Sequence, residues 1–211
     1  WLRSHIAARQ HAASAQVAFR FNSFIGLALA ERLVGPSGVL LLAVLIGACV
    51  PLFNVAAVWP MARHGQGRLW RERARNPLII ATATGLAVNL MGFRLPPWLE
   101  PTVTRIGAAS IALGLMAAGA GMQLSALARA KSLAVAVLSI RHLVLPLVAL
   151  ALSRLFKLSD TQTTVLLLFS ALPTASSCYV LAARMGYDSA FVAALVTLST
   201  LLGMLSLPLA L

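Results

Sequence analysis

The sequence predicts an all-α polytopic membrane protein, and three observations support this fold class. The composition is 60% hydrophobic and only 10% charged, which is too little charge to cover the surface of a water-soluble domain of this length. Uncharged runs long enough to cross a bilayer, which takes about 20 residues, recur along the chain. The segments between these runs are short, so neighbouring helices are expected to run antiparallel in one bundle.

The runs predict seven transmembrane helices. Two of them must tolerate a charge inside: the first includes Arg20 near its start, and the fifth includes the pair Arg141-His142. The predicted spans are 14–34, 33–62, 76–93, 106–128, 132–154, 161–183 and 189–211. We therefore expect one transmembrane domain covering residues 1–211.

The basic residues predict the orientation, because positively charged loops stay on the cytoplasmic side. One side of the seven-span topology collects ten Lys and Arg residues and the other collects five. The basic segment "RHGQGRLWRERAR" (63–75) lies on the richer side, which places the C-terminus on the outer side of a cell membrane. The net charge of +12 does not indicate nucleic acid, since the basic residues lack interleaved aromatics and lie between spans. They are expected to face lipid headgroups.

The sixth span contains a helix breaker and a group of hydroxyls at its centre, in "ALPTASSCYV" (171–180). Pro173 removes a backbone donor and frees carbonyls about one turn earlier. Freed backbone groups are tolerated in a membrane only where they are buried in protein or line a cavity. Pro173 alone is equally compatible with a simple kink, but Thr174, Ser176 and Ser177 exceed what a kink requires. These four residues are candidate ligand-binding positions.

The first span resembles the sixth in inverted orientation. At an offset of 152 residues, "FNSFIGLALAER" (21–32) lies over "PTASSCYVLAAR" (173–184), and the two spans cross the membrane in opposite directions, as an inverted repeat requires. Asn22 then falls opposite Thr174, and its amide either binds an anion or bridges two helices. Asn54, three residues after Pro51, either caps broken backbone or lines the same pocket. Arg20 is expected to extend to the cytoplasmic surface.

The pair Arg141-His142 lies about ten residues into its span, too deep to reach the surface easily. The five acidic residues of the chain all fall in loops or at span ends, so none neutralises Arg141. An uncompensated cation beside broken helices suggests an anionic partner, either a lipid headgroup or a substrate. His142 is a candidate for carrying a coupling proton, with packing or an uncharged hydrogen bond as the alternative.

Motifs for catalysis are missing from the sequence. There is no HExxH, no GxSxG, and no Ser, His and Asp arrangement at the spacing of an intramembrane protease. Cys49 and Cys178 lie in spans without metal-ligand spacing. We expect no enzyme activity, no metal and no cofactor.

At these residues the chain resembles the bacterial branch of the auxin efflux carrier family. The segments that carry the resemblance are "FRFNSFIGLALAERLVG" (19–35), "VPLFNVAAV" (50–58), "LVLPLVAL" (143–150) and "ALPTASSCYVLAARMGYDSAFVAALVTLSTLLGMLSLPL" (171–209). The resemblance implies a ten-helix fold of two inverted five-helix repeats whose broken helices cross at midmembrane. The seven spans would be its fourth to tenth, with three helices missing before Trp1. Residues 14–60 would end the first repeat, 61–76 would form the cytoplasmic basic loop, and 77–211 would form the second repeat.

The resemblance also implies a substrate bound beside the crossing. Asn22 matches the first-crossover asparagine of the family, and Pro173 matches the second-crossover proline. The first crossover here has no proline, and Thr174 replaces a different polar residue of the plant carriers, so a small organic anion is a safer expectation than auxin itself. The expected function is a permease or efflux carrier of such anions; the alternative is a membrane sensor or assembly subunit of the same fold. The oligomeric state stays open, with a homodimer as one alternative.

Overall fold

The computed structural model describes residues 8–64, 80, 84–85, 87–88, 91–120 and 130–211, which are largely helical. The main helices, in chain order, are α1 Ala8–Phe19, α2 Ser23–Val34, α3 Pro36–His64, α4 Glu100–Ala120, α5 Lys131–Leu155, α6 Asp160–Ala171, α7 Ser177–Arg184 and α8 Ser189–Ala210. No strand occurs in these described ranges. The all-α class is confirmed.

Three described helices are long and apolar enough to cross a membrane: Pro36–Ala62 within α3, α5 as a whole, and α8. They correspond to the predicted spans 33–62, 132–154 and 189–211. The predicted span 106–128 begins within α4, and its residues 121–128 lie outside the described ranges, as does most of 76–93. The basic loop begins later than expected, because α3 continues to His64; its residues 65–76 are likewise outside the description. The count of seven spans stays a prediction.

The two remaining predicted spans are each two shorter helices separated by a break. The first is α1 and α2 with a break at residues 20–22, and the second is α6 and α7 with a break at 172–176. Both α1 and α6 have 12 residues, and α6 begins and ends 152 positions after α1, which is the offset of the proposed repeat. The repeat itself stays a prediction.

Local chemistry explains where these helices begin and end. Pro173 disfavours a helical conformation at the residue before it, and Leu172 is extended at φ −55° and ψ 142°, so α6 ends there. The Asn22 side chain accepts hydrogen bonds from the backbone N–H groups of Phe24 and Ile25, which caps the start of α2. Gly35, at φ 80°, ends α2, and Pro36 begins α3.

The middle of α5 departs from α-helical geometry at Ile140–Val144, which form a π-helical turn. Such turns inside α-helices often occur at functional sites. Here the turn contains Arg141 and His142, and both side chains are buried. The predicted placement of this pair deep within a span is confirmed.

The crossing of the two broken helices is enclosed by apolar packing. Phe21, in the first break, has its ring centroid 4.4 Å from that of Phe169 and 5.9 Å from that of Phe53. On the opposite side, α8 approaches closely at Gly203, where an added Cβ would lie 3.3 Å from the Pro173 ring. This glycine lets the backbone of α8 lie directly against the second break.

Candidate functional site

The two broken helices meet through their backbones. The N–H of Asn22, in the first break, donates to the carbonyl of Pro173, in the second, at 2.9 Å. Each break takes one of these two backbone groups out of a helix. Because the two groups bond each other, neither is left without a partner in the membrane interior. The structure therefore brings together Asn22 and Pro173, as the sequence predicted. The Asn22 side chain, however, is turned onto the start of α2 as its cap.

Arg20 is buried at the crossing, with 6% of its surface exposed, so the expectation that it extends to the cytoplasmic surface is wrong. Its Nη1 donates to Gln16 Oε1 at 3.0 Å. Its Nη2 donates to Asn54 Oδ1 at 3.0 Å and to Ser177 Oγ at 2.9 Å. The guanidinium thus joins α1, α3 and α7 through neutral acceptors.

Two of the predicted site residues, Asn54 and Ser177, are therefore partners of Arg20. Asn54 lies in α3 and is buried, and its side chain faces the crossing. Ser177 is the first residue of α7, and Ser176 precedes it as a half-buried cap residue that makes no side-chain capping bond. The hydroxyls after Pro173 therefore lie at the start of a helix, where backbone N–H groups lack partners within the helix.

Arg141 reaches the same break from α5. Its Nε donates to the carbonyl of Leu172 at 2.6 Å, and only 2% of its surface is exposed. Leu172 ends α6, so the cation lies at a helix C-terminus, where the backbone dipole stabilises positive charge. The Nη2 of Arg141 is buried without a hydrogen-bond partner among the described residues. A buried donor without a partner is costly, and more so when it is charged.

Thr174 is not open to a ligand in this conformation, because its polar groups bond within the protein. Its Oγ1 donates to the Val17 carbonyl at 2.8 Å, and its backbone N–H donates to Ser199 Oγ at 2.9 Å. Ser199 Oγ donates in turn to Thr174 Oγ1 at 3.0 Å. Thr174 thereby connects the second break to α1 and α8.

Ser199 lies between Thr174 and His142. Its Nε2 is 2.9 Å from Ser199 Oγ, and its Nδ1 is 2.8 Å from Ser206 Oγ. The side chains of the adjacent residues 141 and 142 therefore contact different elements. Arg141 contacts the break after α6, and His142 contacts the serines of α8. His142 is one of the residues that line a cleft between α5 and α8.

Sequence reasoning missed Ser199, Ser206, Gln16 and the burial of Arg20. Ser199 and Ser206 are seven residues apart, which puts them on one face of α8 in an otherwise apolar span. Gln16 lies one helical turn before Arg20, so their side chains can meet. Both spacings are visible in the sequence and could have suggested these residues.

A comparison with known families supplies the identity of the fold. The family model described as "Membrane transport protein" matches residues 57–211. No curated protein and no solved structure matched the chain. The match covers most of the chain and includes the π-helical turn of α5, the second broken pair and α8, so the chain belongs to the auxin efflux carrier family of membrane transport proteins.

Proposed function

We propose that the protein is a secondary transporter of small organic anions that binds its substrate beside the helix crossing. The observation that carries this proposal is the buried Nη2 of Arg141, which has no hydrogen-bond partner in the described part of the chain. A carboxylate bound there would supply both the acceptor and the charge that this guanidinium lacks.

The electrostatics of the crossing support an anion rather than a cation or a neutral ligand. The hydrogen bonds given for Arg20 and Arg141 all go to neutral acceptors. The acidic residues of the described ranges, Glu31, Glu100, Asp160 and Asp188, lie in the terminal turn of a helix or cap one. Burying an ion without a counter-ion costs several kcal/mol. An anion bound beside each guanidinium could offset a cost of this order.

The position of Arg20 adds an independent reason. Its Nη2 bonds the first residue of α7, so a cation lies beside a helix N-terminus, which already carries partial positive charge. The two positive charges repel each other, and a bound anion would offset that repulsion. Helix N-termini bind carboxylates and phosphates for the same reason.

The family membership and the two broken helices support transport by alternating access around the crossing. In the conformation described here the crossing is closed, because Asn22, Thr174 and Arg141 are all buried. Substrate would enter and leave when the crossing becomes accessible from one side of the membrane or the other. The substrate-binding residues of the proposal are Asn22, Asn54, Arg141, Pro173, Thr174, Ser176 and Ser177, with Arg20 added by the structure.

Uptake into proteoliposomes tests the proposal, with radiolabelled lactate and succinate as a monocarboxylate and a dicarboxylate probe. We expect uptake of at least one probe and a loss of at least tenfold in Arg141→Gln. Arg154→Gln is the matched control, since Arg154 is an exposed residue of the same helix. Binding without flux or counterflow would favour the alternative of a sensor or assembly subunit. Equal uptake by wild type and Arg141→Gln would refute the assignment of Arg141.

A further inference from the structure

The polar side chains of α5, α8 and the second break form one continuous chain of hydrogen bonds. It runs from Ser206 through His142, Ser199 and Thr174 to the carbonyl of Val17. Each link is 2.8–3.0 Å long. Ser199 is fully buried and Thr174 is 1% exposed, so water does not compete for the bonds that these two residues make.

The direction of every bond in this chain follows from counting donors. A carbonyl only accepts, so the one hydroxyl proton of Thr174 goes to Val17. Thr174 Oγ1 must therefore accept the bond from Ser199, which uses the one proton of that serine. Ser199 is left as an acceptor and already accepts from the Thr174 backbone N–H.

The tautomer of His142 is fixed by the same reasoning. Because Ser199 has no proton left to donate, the bond between Ser199 and Nε2 requires a proton on Nε2. In a neutral imidazole Nδ1 then carries none and accepts from the Ser206 hydroxyl. The crossing thus makes Nδ1 the basic atom of the ring and directs it toward Ser206.

Nδ1 and Ser206 lie at a cleft between α5 and α8 with a volume of about 540 Å³. Its walls are apolar, and the residues that form them include Leu143, Pro146, Leu147, Leu202, Leu205 and Leu209. Several of these side chains are exposed, so the cleft opens at the surface of the described helices. Nδ1 is therefore on the cleft side of the ring, whereas Nε2 is on the side of the crossing.

We propose that His142 is the proton-binding site of an anion–proton symporter and takes up a proton at Nδ1 from the cleft between α5 and α8. A hydronium ion in the cleft gives up one O–H bond as a new N–H bond forms at Nδ1, which leaves a water molecule and an imidazolium ring. The Ser206 hydroxyl turns from donor to acceptor. The bonds from Nε2 to Ser199 and from Ser199 to Thr174 keep their direction, so protonation leaves the crossing intact.

The charge of Arg141 couples this site to the anion. The elements packed against the π-helical turn are α1, α6, α8 and the flanking turns of α5. Apart from His142, their described titratable groups are Arg9 and His11 in the first turn of α1, Asp160 at the start of α6, Lys131 and Arg154 near the ends of α5, and Arg141. Of these, Arg141 alone shares the depth of His142, and its charge opposes an imidazolium. An anion at Arg141 would remove that repulsion, so anion and proton binding favour each other reciprocally.

The coupling between proton and anion rests on the proposed anion transport. The proton site at His142 does not depend on that proposal, so the site and the coupling are tested separately. For the site, the histidines are labelled with ¹⁵N and the protein is studied by NMR in lipid nanodiscs. The chain has four histidines, and His142→Gln identifies the signals of His142. We expect the Nε2–H tautomer at high pH and proton uptake at Nδ1 as the pH falls. An Nδ1–H tautomer, or a ring that stays neutral at every pH at which the protein is folded, would overturn the proposal.

Two serine and threonine variants make this test specific. Ser199→Ala should populate the Nδ1–H tautomer, because Nε2 loses its acceptor. Thr200→Val is the matched control, since the Thr200 hydroxyl donates to the Val196 carbonyl of its own helix at 3.0 Å. It should leave the tautomer unchanged. A Ser199→Ala protein that is folded and keeps the wild-type tautomer would contradict the assigned chain.

For the coupling, proteoliposomes loaded with a fluorescent pH indicator report proton movement during uptake of labelled lactate or succinate. Wild type should acidify the lumen as anion enters, and His142→Gln should lose most of this acidification per anion transported. Unchanged acidification in His142→Gln would refute the coupling and leave anion transport standing. If neither wild-type flux is seen, the proposed function fails, and the NMR result still decides the proton site.

Discussion

The bond between Ser199 and Thr174 should contribute measurably to stability, and a double-mutant cycle can isolate it. Thr174→Val removes the hydroxyl with little change of shape, and Ser199→Ala removes the partner. In Thr174→Val the Val17 carbonyl loses the hydroxyl that donates to it, and the Ser199 hydroxyl loses its acceptor. Both positions are almost completely buried. Neither partner group can turn to water.

The expected coupling energy depends on whether the unfolded chain is surrounded by water or by lipid. A buried polar group without a partner costs about 1–3 kcal/mol in a water-soluble protein. In membranes, coupling energies between side chains average about 0.6 kcal/mol and reach about 1.7 kcal/mol, because the unfolded chain in lipid also finds partners. The second scale applies to a helix crossing in a membrane. We therefore expect a coupling energy of about 0.6–1.7 kcal/mol between the two positions.

Reversible unfolding in mixed lipid and detergent micelles, followed by circular dichroism, measures the four free energies of the cycle. The control cycle pairs Thr174→Val with Thr200→Val, because the Thr200 hydroxyl donates to a carbonyl of its own helix. Sites without a shared partner should be additive within about 0.3–0.5 kcal/mol. If the Ser199 cycle gives a coupling energy no larger than this control, the assigned hydrogen bond does not hold the crossing.

Three further substitutions probe the crossing. Asn22→Ala should lower the unfolding free energy by about 0.5–2 kcal/mol, because two backbone N–H groups of α2 lose their cap; a loss no greater than that of an exposed Asn→Ala would reject the capping role. Gly203→Ala should cost about 1–3 kcal/mol, since its Cβ would lie 3.3 Å from Pro173, whereas Gly47→Ala, with nothing within 4 Å, should be neutral or stabilising. Equal thermal stability of the two glycine variants would contradict the close approach of α8. Arg20→Met should remove three hydrogen bonds to side-chain oxygens that are buried or half-buried, and it should reduce thermal stability more than Arg154→Met, an exposed change in α5.

The sequence was sufficient for those features that depend on local chemistry. A proline in the centre of an uncharged run predicted the break at Pro173, and the uncharged residues on either side of Arg141-His142 predicted that the pair lies in the middle of a long helix. Both inferences need only the neighbouring residues and the thickness of a bilayer. The family resemblance added the pairing of Asn22 with Pro173.

The contacts that define the site depend on residues far apart in the chain. Arg20 looked like a surface-seeking cation because nothing nearby indicates that Asn54 and Ser177, 34 and 157 positions away, meet its guanidinium. Ser199 and Ser206 resembled the many membrane hydroxyls that bond their own helix, as Thr200 does. Their partner lies in α5, 57 and 64 positions earlier. Only the tertiary structure distinguishes the two cases.

The hydrogen bonds at the crossing also bear on how the proposed transporter would move. Four of them join the first broken pair to the second: Asn22 to Pro173, Thr174 to Val17, Gln16 to Cys178 and Arg20 to Ser177. Sliding one pair past the other would break all four inside the protein, at a cost of roughly 4–12 kcal/mol if each leaves a partner unsatisfied. Moving both pairs together breaks none of them. A rigid shift of the whole crossing is therefore favoured over a motion in which one broken pair slides past the other.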